Sequence, residues 1–421
     1  MNAGRRRFLL GSVAGAMCAA YGVAAARPKM FNACRASFPD DPAVVALLER
    51  AWTGLDPRQV WDMHVHIAGT GDSGRGIEIS SDMTSPLKPV AFAQRLFFLN
   101  AGCAGDERKT VDDAYVLRLC NLCDSAPNGF KLLLYAFERP YDEKGRMMDE
   151  PASMHIPDAY AEALAAAFPE RFEWACSIHP WREDAVPALR AAAARGARAV
   201  KWLPPAMNID PASPCCDTFY EAMAELDLPL ITHTGAEKAV HGPGRAEWSN
   251  PLRLRRALEH GVRVVAAHCA STGNDTDIDR GRHGPHVPSF DLFARLMDEP
   301  RFEHLLFGDI SAIIQRNREP ELIRMLVERN EWHDRLMFGS DYPLPGVVPL
   351  ISPRKLVHER LLDEQDVPAL ERLRHHNPIL FDFALKRSLC SRGRQFGASV
   401  FETRRHFVKT RMENSVFGSL S

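Results

Sequence analysis

The chain has 421 residues, 46% of them hydrophobic and 25% charged, with a formal net charge of -2. That balance suits a soluble globular enzyme, either two average domains or one barrel of about 250 residues with insertions. It speaks against a nucleic-acid partner, because a nearly neutral chain builds no field to hold a polyanion.

The N-terminus opens with Arg5-Arg6-Arg7-Phe8-Leu9-Leu10, and an uncharged, small-residue stretch follows from Gly11 to Ala26. Ala24-Ala25-Ala26 supplies a small-x-small cleavage site. Residues 1–26 therefore resemble a twin-arginine (Tat) export signal, which implies the Tat machinery as a partner and a periplasmic location. The stretch is short and rich in Gly and Ala for a spanning helix, so an uncleaved anchor is the lesser reading. Ten cysteines are present, and with Cys18 set aside in the leader nine remain. An odd set without framework spacing predicts structural thiols with an occasional disulfide. Cys120 and Cys123 form a lone C-x-x-C, a weak zinc signal without a second pair, and Cys215 and Cys216 are adjacent.

After an N-terminal segment at 27–55, the first apolar run covers 60–67. Roughly sixty residues separate it from the second at 130–137, far more than an ordinary βα loop. Helices are expected inside this insertion (about 69–128) at 89–100 and 112–123, and it would sit over a barrel mouth as lid or pocket wall. Further strands are expected at 172–178, 198–203, 228–234, 262–268, 305–311 and 335–340. Helical patterns alternate with them at 158–167, 183–195, 218–226, 251–260, 290–297 and 320–329. Another helix follows at 353–360, with Ser352 placed to cap it and Pro353 in its first turn. Eight strands alternating with helices predict an α/β fold, a (β/α)8 TIM barrel with a long helical insertion after strand 1. A C-terminal helical extension is expected at 367–375 and 378–386, closing a barrel domain at 56–386. The basic tail from 387 onward reads as a loosely packed, solvated extension.

Residues two apart on a strand share a face. In Trp61-Asp62-Met63-His64-Val65-His66, the residues Asp62, His64 and His66 are therefore expected together, and two such imidazoles can grip one metal ion. Strand four puts Lys201 on the face of Ala199 and Leu203, where a lysine in an apolar run needs pairing or modification. His233, His268 and Asp341 read as the last inward positions of strands five, six and eight. Each has a plainer explanation: a satisfied core histidine, a capping or turn-forming aspartate, a salt-bridged or snorkelling lysine. As a set they converge on the carboxyl end of a barrel, where barrel enzymes work. Weaker candidates are His179 after strand three, Trp202 beside Lys201, and Asp309 with Ser311 on strand seven. In the loop after strand five, Glu237, Lys238, His241 and Arg245 are placed to meet a polar or anionic small-molecule substrate, with a solvated loop as the alternative for Lys238 and His241.

Asp62-Met63-His64-Val65-His66, Val200-Lys201-Trp202, Ile231-Thr232-His233-Thr234-Gly235, Ala267-His268-Cys269 and Phe338-Gly339-Ser340-Asp341-Tyr342-Pro343 resemble the amidohydrolase superfamily, in its amidohydrolase-related branch. Asn377-Pro378, leading into Leu380-Phe381-Asp382-Phe383, is similar to that branch's closing helix, so the resemblance spans about 56–386. It implies His64, His66, His233 and Asp341 as ligands of a divalent metal, zinc above all. It implies His268 as a ligand of a second ion or as a catalytic group on substrate or water. With two ions, Lys201 would be carboxylated and bridge them as a ligand; with one, it would meet a substrate carboxylate. The implied chemistry is hydrolysis of an amide, ester or lactone of a small molecule by activated water, with Asp341 as catalytic base. A one-metal non-oxidative decarboxylase or hydratase is the enzymatic alternative, and a catalytically silent periplasmic binding protein the alternative of another class. A homo-oligomer is left open.

Overall fold

The computed structural model describes residues 30–105, 109–149, 153–236, 240 and 242–408. The leader at 1–26 lies outside the described residues, as do Glu237, Lys238 and His241. Eight parallel strands fall within the eight expected runs: β1 (Trp61–His66), β2 (Lys131–Tyr135), β3 (Phe172–Ala175), β4 (Val200–Trp202), β5 (Leu230–His233), β6 (Val264–Ala267), β7 (Leu306–Asp309) and β8 (Leu336–Met337). β1 to β3 form one ladder and β4 to β8 a second, each in chain order. A parallel bridge from Cys176 to Val200 joins β3 to β4, and one from Val65 to Tyr342 joins β1 to the chain just past β8. At that closing seam Met63 N donates to Phe338 O at 3.2 Å, Asp341 N to His64 O at 2.9 Å, and His66 N to Tyr342 O at 3.0 Å. The ring is closed, and the fold is a TIM barrel.

Parallel strands buried on both faces read as near-continuous apolar runs, and two separate cores result. Trp61, Met63, Leu133, Tyr135, Ala175, Ala199, Ile231, Val265, Phe307 and Met337 fill the barrel. The alternate residues, such as Leu132, Trp174, Val200, Trp202 and Leu230, face the surrounding helices. β1 departs from simple alternation. Asp62 pairs with Leu132 and Val65 with Leu134, so β1 carries one extra residue between those points. Such a bulge re-aims side chains. Trp61 and Met63 point into the barrel, yet His64 and His66 both reach the cavity above it. Asp62 does not share their face, as strict alternation had it. Its Oδ1 accepts from Ser340 N at 2.8 Å and His64 N at 3.2 Å.

The long connection after β1 holds the helices Pro89–Ala101 and Val111–Asp124, and its short strand Glu78–Ile79 pairs antiparallel with Met154–His155. Asp112 anchors its glycine-rich start, accepting from Thr70 N, Gly71 N and Ser73 N. The insertion reaches the mouth through Phe98, which lines the cavity. A disulfide between Cys34 and Cys103, 69 residues apart, ties it to the N-terminal segment. Closing a loop of that length contributes about 4 kcal/mol in the chain-entropy account. Reduction, or Cys34→Ser, should therefore lower the urea midpoint clearly; an unchanged midpoint would show the cross-link to be energetically idle.

The N-terminal segment also contains the helix Pro42–Trp52, capped by Asp41, whose Trp52 packs 4.4 Å from Phe383. Ser352 caps the helix Pro353–His358 as expected, accepting from Lys355 N. The tail corrects the sequence reading. Residues 387–408 are not a loose solvated extension, because Val400, Phe401 and Thr403 are fully buried and Phe407 joins the barrel's interior cluster. Thr403 Oγ1 donates to Trp61 O at 2.7 Å. Phe407 closes the floor of the barrel, while Val400 and Phe401 join the outer core.

Candidate metal centre

His64, His66, Lys201, His233, His268 and Asp341 line one cavity of about 290 Å3 at the carboxyl ends of the strands. Lys201 and His233 arrive by alternation, since Ala199 and Ile231 face inward two residues earlier. His268 arrives differently. With Val265 inside the barrel, strand parity would turn His268 outward. Instead the chain leaves β6 through left-handed backbone at His268, Cys269 and Ala270 (φ 57, 49 and 50°), which carries the imidazole over the mouth. Asp341 is also left-handed, at φ 60°. Non-glycine residues in this region are uncommon and concentrate at functional sites.

The ligand atoms are spaced for one small cation. His64 Nε2 and His66 Nε2 stand 3.2 Å apart, and Asp341 Oδ1 lies 3.3 Å from His66 Nε2 and 3.6 Å from His64 Nε2. Donors about 2.0–2.1 Å from a tetrahedral zinc are themselves ~3.3 Å apart. The three atoms thus outline one face of such a polyhedron. His233 and His268 flank it, their rings 5.2 Å apart and that of His268 stacked 5.0 Å from His64. Lys201 Nζ sits 3.3 Å from His64 Nε2 and 4.6 Å above the ring of Tyr135.

One carboxylate orients the imidazoles. Asp309 Oδ2 lies 2.8 Å from His64 Nδ1; with the carboxylate oxygen as acceptor, that nitrogen carries the proton and Nε2 presents its lone pair to the cavity. Asp309 Oδ1 takes the Ser311 hydroxyl proton and also accepts from His268 N at 3.0 Å. With its single hydrogen spent on Asp309, Ser311 Oγ can only accept from His268 Nδ1, 2.7 Å away. His268 Nε2 therefore also faces the cavity as an acceptor. Burial first, then the neighbouring Lys201 and His66, pushes His64 well below the ordinary imidazole range. Burial likewise lowers His268, against the pull of Asp309. Both stay neutral, the form that binds metal. If the cluster holds a divalent metal, Asp309→Asn should disturb both tautomers and weaken its binding about 10- to 100-fold, as chelator competition would measure. Unchanged affinity would remove Asp309 from this role.

The weaker candidates part company with the cavity. Trp202 is one residue from Lys201 and so faces the other way, its Nε1 donating to Ile178 O at 2.9 Å and its ring packed on Phe219. His179 is fully buried outside the cavity, with Nε2 2.9 Å from Met207 O. Arg245 is largely exposed beside Glu247 and does not line the cavity, and Glu237 lies outside the described residues. Cys120 and Cys123 are buried thiols that join no group of potential metal ligands among the described residues. Sequence reasoning passed over Tyr135, whose ring lies 4.9 Å from His64 and whose hydroxyl donates to Met63 O. It also passed over Gln315, Asn317 and Arg318, polar residues after β7 that line the cavity together with the apolar Phe98, Phe137 and Leu203. Inward parity with Leu133 marked Tyr135; nothing local marks the other three.

A family model described as Amidohydrolase matches residues 61–379. No curated protein matches the chain. Among solved structures, an uncharacterised TIM-barrel protein from Bordetella bronchiseptica is 14% identical, with 77% of this chain and 99% of that one covered and a TM-score of 0.47. A probable 2-pyrone-4,6-dicarboxylic acid hydrolase from Acinetobacter baumannii is 14% identical over 75% of this chain and 92% of its own, with a TM-score of 0.41. A 5-carboxyvanillate decarboxylase from Sphingomonas paucimobilis is 12% identical over 75% and 95%, with a TM-score of 0.39.

Proposed function

The chain belongs to the amidohydrolase family, and on that footing we propose that it is a metal-dependent hydrolase of small amides, esters or lactones. The observation that carries this reading is the triangle of His64 Nε2, His66 Nε2 and Asp341 Oδ1, with Asp309 holding the first imidazole in its ligating tautomer. The donor set fits one divalent ion, zinc before magnesium because two imidazole nitrogens share it with a carboxylate. When bound, the ion supplies Lewis-acid polarisation of a carbonyl and acidifies a water molecule.

The chain's own residues supply the rest. Asp341 accepts the proton of the attacking water and returns it to the leaving group. His268, its Nδ1 committed to Ser311, offers Nε2 as acceptor toward water or substrate. Lys201 holds an anionic oxygen of the substrate, and Gln315, Asn317 and Arg318 orient its polar end against the apolar walls. Such a cavity takes a small, single-ring-sized molecule. We read the second potential ligand group, His64, His268 and Asp309, as the hydrogen-bonded clamp described above, which favours a single ion and an unmodified Lys201.

A second reading, non-oxidative decarboxylation, draws on Lys201 and Arg318 facing the same cavity, two cations that suit a carboxylated substrate. Export through the Tat system to the periplasm remains the proposed location; the Cys34–Cys103 disulfide supports it, since such bonds persist in oxidising compartments. The deciding experiment is elemental analysis of the purified protein beside a screen of lactones, esters, amides and aromatic carboxylates. About one equivalent of zinc and chelator-sensitive hydrolysis are expected. Protein that neither carries nor takes up a divalent metal would overturn the proposal, and CO2 release without hydrolysis would transfer it to the second reading.

A further inference from the structure

His64 and Asp341 come from the first strand and from beyond the last, and they meet across the seam that closes the barrel. Regular pairing is thin there, because β8 is only Leu336–Met337 and β1 is bulged at this level. A buried polar cluster with no part in the chemistry above takes over. Asp62 Oδ1 straddles the seam, accepting from His64 N on one side and Ser340 N on the other. Lys386, on the helix Pro378–Ser388, donates to Gly339 O at 2.7 Å and pairs with Asp382 one turn earlier. Asp62, Asp382 and Lys386 are all fully buried. Gly339 itself passes so near β1 that a Cβ built on it would lie 2.6 Å from His64 Cβ.

Stability alone does not explain a Lys–Asp pair at this depth, since apolar residues of similar volume commonly serve as well. What the pair does is hold the carbonyl of Gly339, a residue two before Asp341 whose Cβ position abuts His64. We propose that Asp62, Gly339 and Lys386 are positioning residues that set the separation of His64 and Asp341, and through it the metal affinity of the site. This rests on the metal-centre reading above. The closing helix thereby becomes part of the site without touching the cavity.

The test is zinc affinity by competition with a chromophoric chelator, together with the visible d–d spectrum of the Co2+-substituted protein. Replacing the pair together, Asp382→Leu with Lys386→Met, removes both charges but also the tether on Gly339. The expected result is zinc affinity at least 10-fold weaker and altered Co2+ bands, with the urea midpoint close to wild type. A remote core variant that does lower stability, Leu189→Ala, should keep wild-type zinc affinity and spectrum. Zinc affinity within twofold of wild type and an unchanged spectrum in the paired variant would overturn the proposal. So would equal weakening in Leu189→Ala, which would mark a general effect of stability. If the paired variant does not fold, Gly339→Ala decides on the same two readouts, because its methyl group presses directly on His64. Wild-type protein that binds neither ion would remove the metal centre itself, a separate outcome from wild-type binding with indifferent variants.

Discussion

Asp341→Asn should yield a folded barrel that retains most of its metal and loses turnover by about 100- to 10,000-fold, the range that a positioned general base contributes. The amide keeps an oxygen where Asp341 Oδ1 now stands, 3.3 Å from His66 Nε2, so one ligand contact survives. It cannot accept the proton of the attacking water. The backbone should not move, because Asp341 N donates to His64 O at 2.9 Å whichever side chain follows. The measurement pairs kcat on a substrate found by screening with metal content of the same preparation. Near-normal turnover with metal in place would remove the general-base role; loss of metal together with activity would show Asp341 to be a ligand first. His64→Ala is the contrasting case, because it deletes the imidazole shared by both potential ligand groups and should empty the site.

Truncation after Gly397 should abolish cooperative unfolding, although it removes nothing from the cavity. The deleted stretch includes Val400, Phe401, Thr403 and Phe407, all buried: Phe401 packs on Phe338 and Phe383 in the outer core, and Phe407 is the floor on which Trp61 and Phe307 rest. Losing a buried phenylalanine costs about 3–5 kcal/mol, and a whole domain has about 5–15 kcal/mol in hand. Phe407→Ala alone should therefore lower unfolding free energy by about 3–5 kcal/mol, with near-normal zinc affinity because the ring lies at the far end of the barrel. Urea denaturation followed by tryptophan fluorescence reads the loss directly, Trp61 stacking on Phe407 at 6.3 Å. A truncated protein with a wild-type midpoint would return the tail to the status of an appendage.

Particular residues show where reading from sequence succeeded and where it stopped. All eight strands were legible because a parallel strand covered on both faces is a near-continuous apolar run ending in a turn, and runs of that kind are visible without partners. The tail was not. Phe396, Val400, Phe401 and Phe407 are spaced irregularly among arginines, without the period of a helix or strand, and only the folded chain gives them partners: Phe401 packs on Phe338 and Phe383 outside the barrel, and Phe407 covers its open end. Cys34 and Cys103 were visible as cysteines, but which thiols pair depends on where two distant segments meet. Trp202 was placed beside Lys201 by proximity along the chain, where alternation sends neighbours to opposite faces.

Residue type and strand order were enough to bring the candidate residues His64, His66, Lys201, His233, His268 and Asp341 to one end of one barrel, because burial makes inward polar residues rare and strand ends countable. How those donors face each other was decided only by the folded chain. A bulge separates Asp62 from the two histidines of β1, left-handed turns deliver His268 and Asp341, and a single carboxylate on β7 orients two imidazoles. Each depends on a backbone dihedral or a partner on another strand, and neither leaves a mark in the local pattern of side chains.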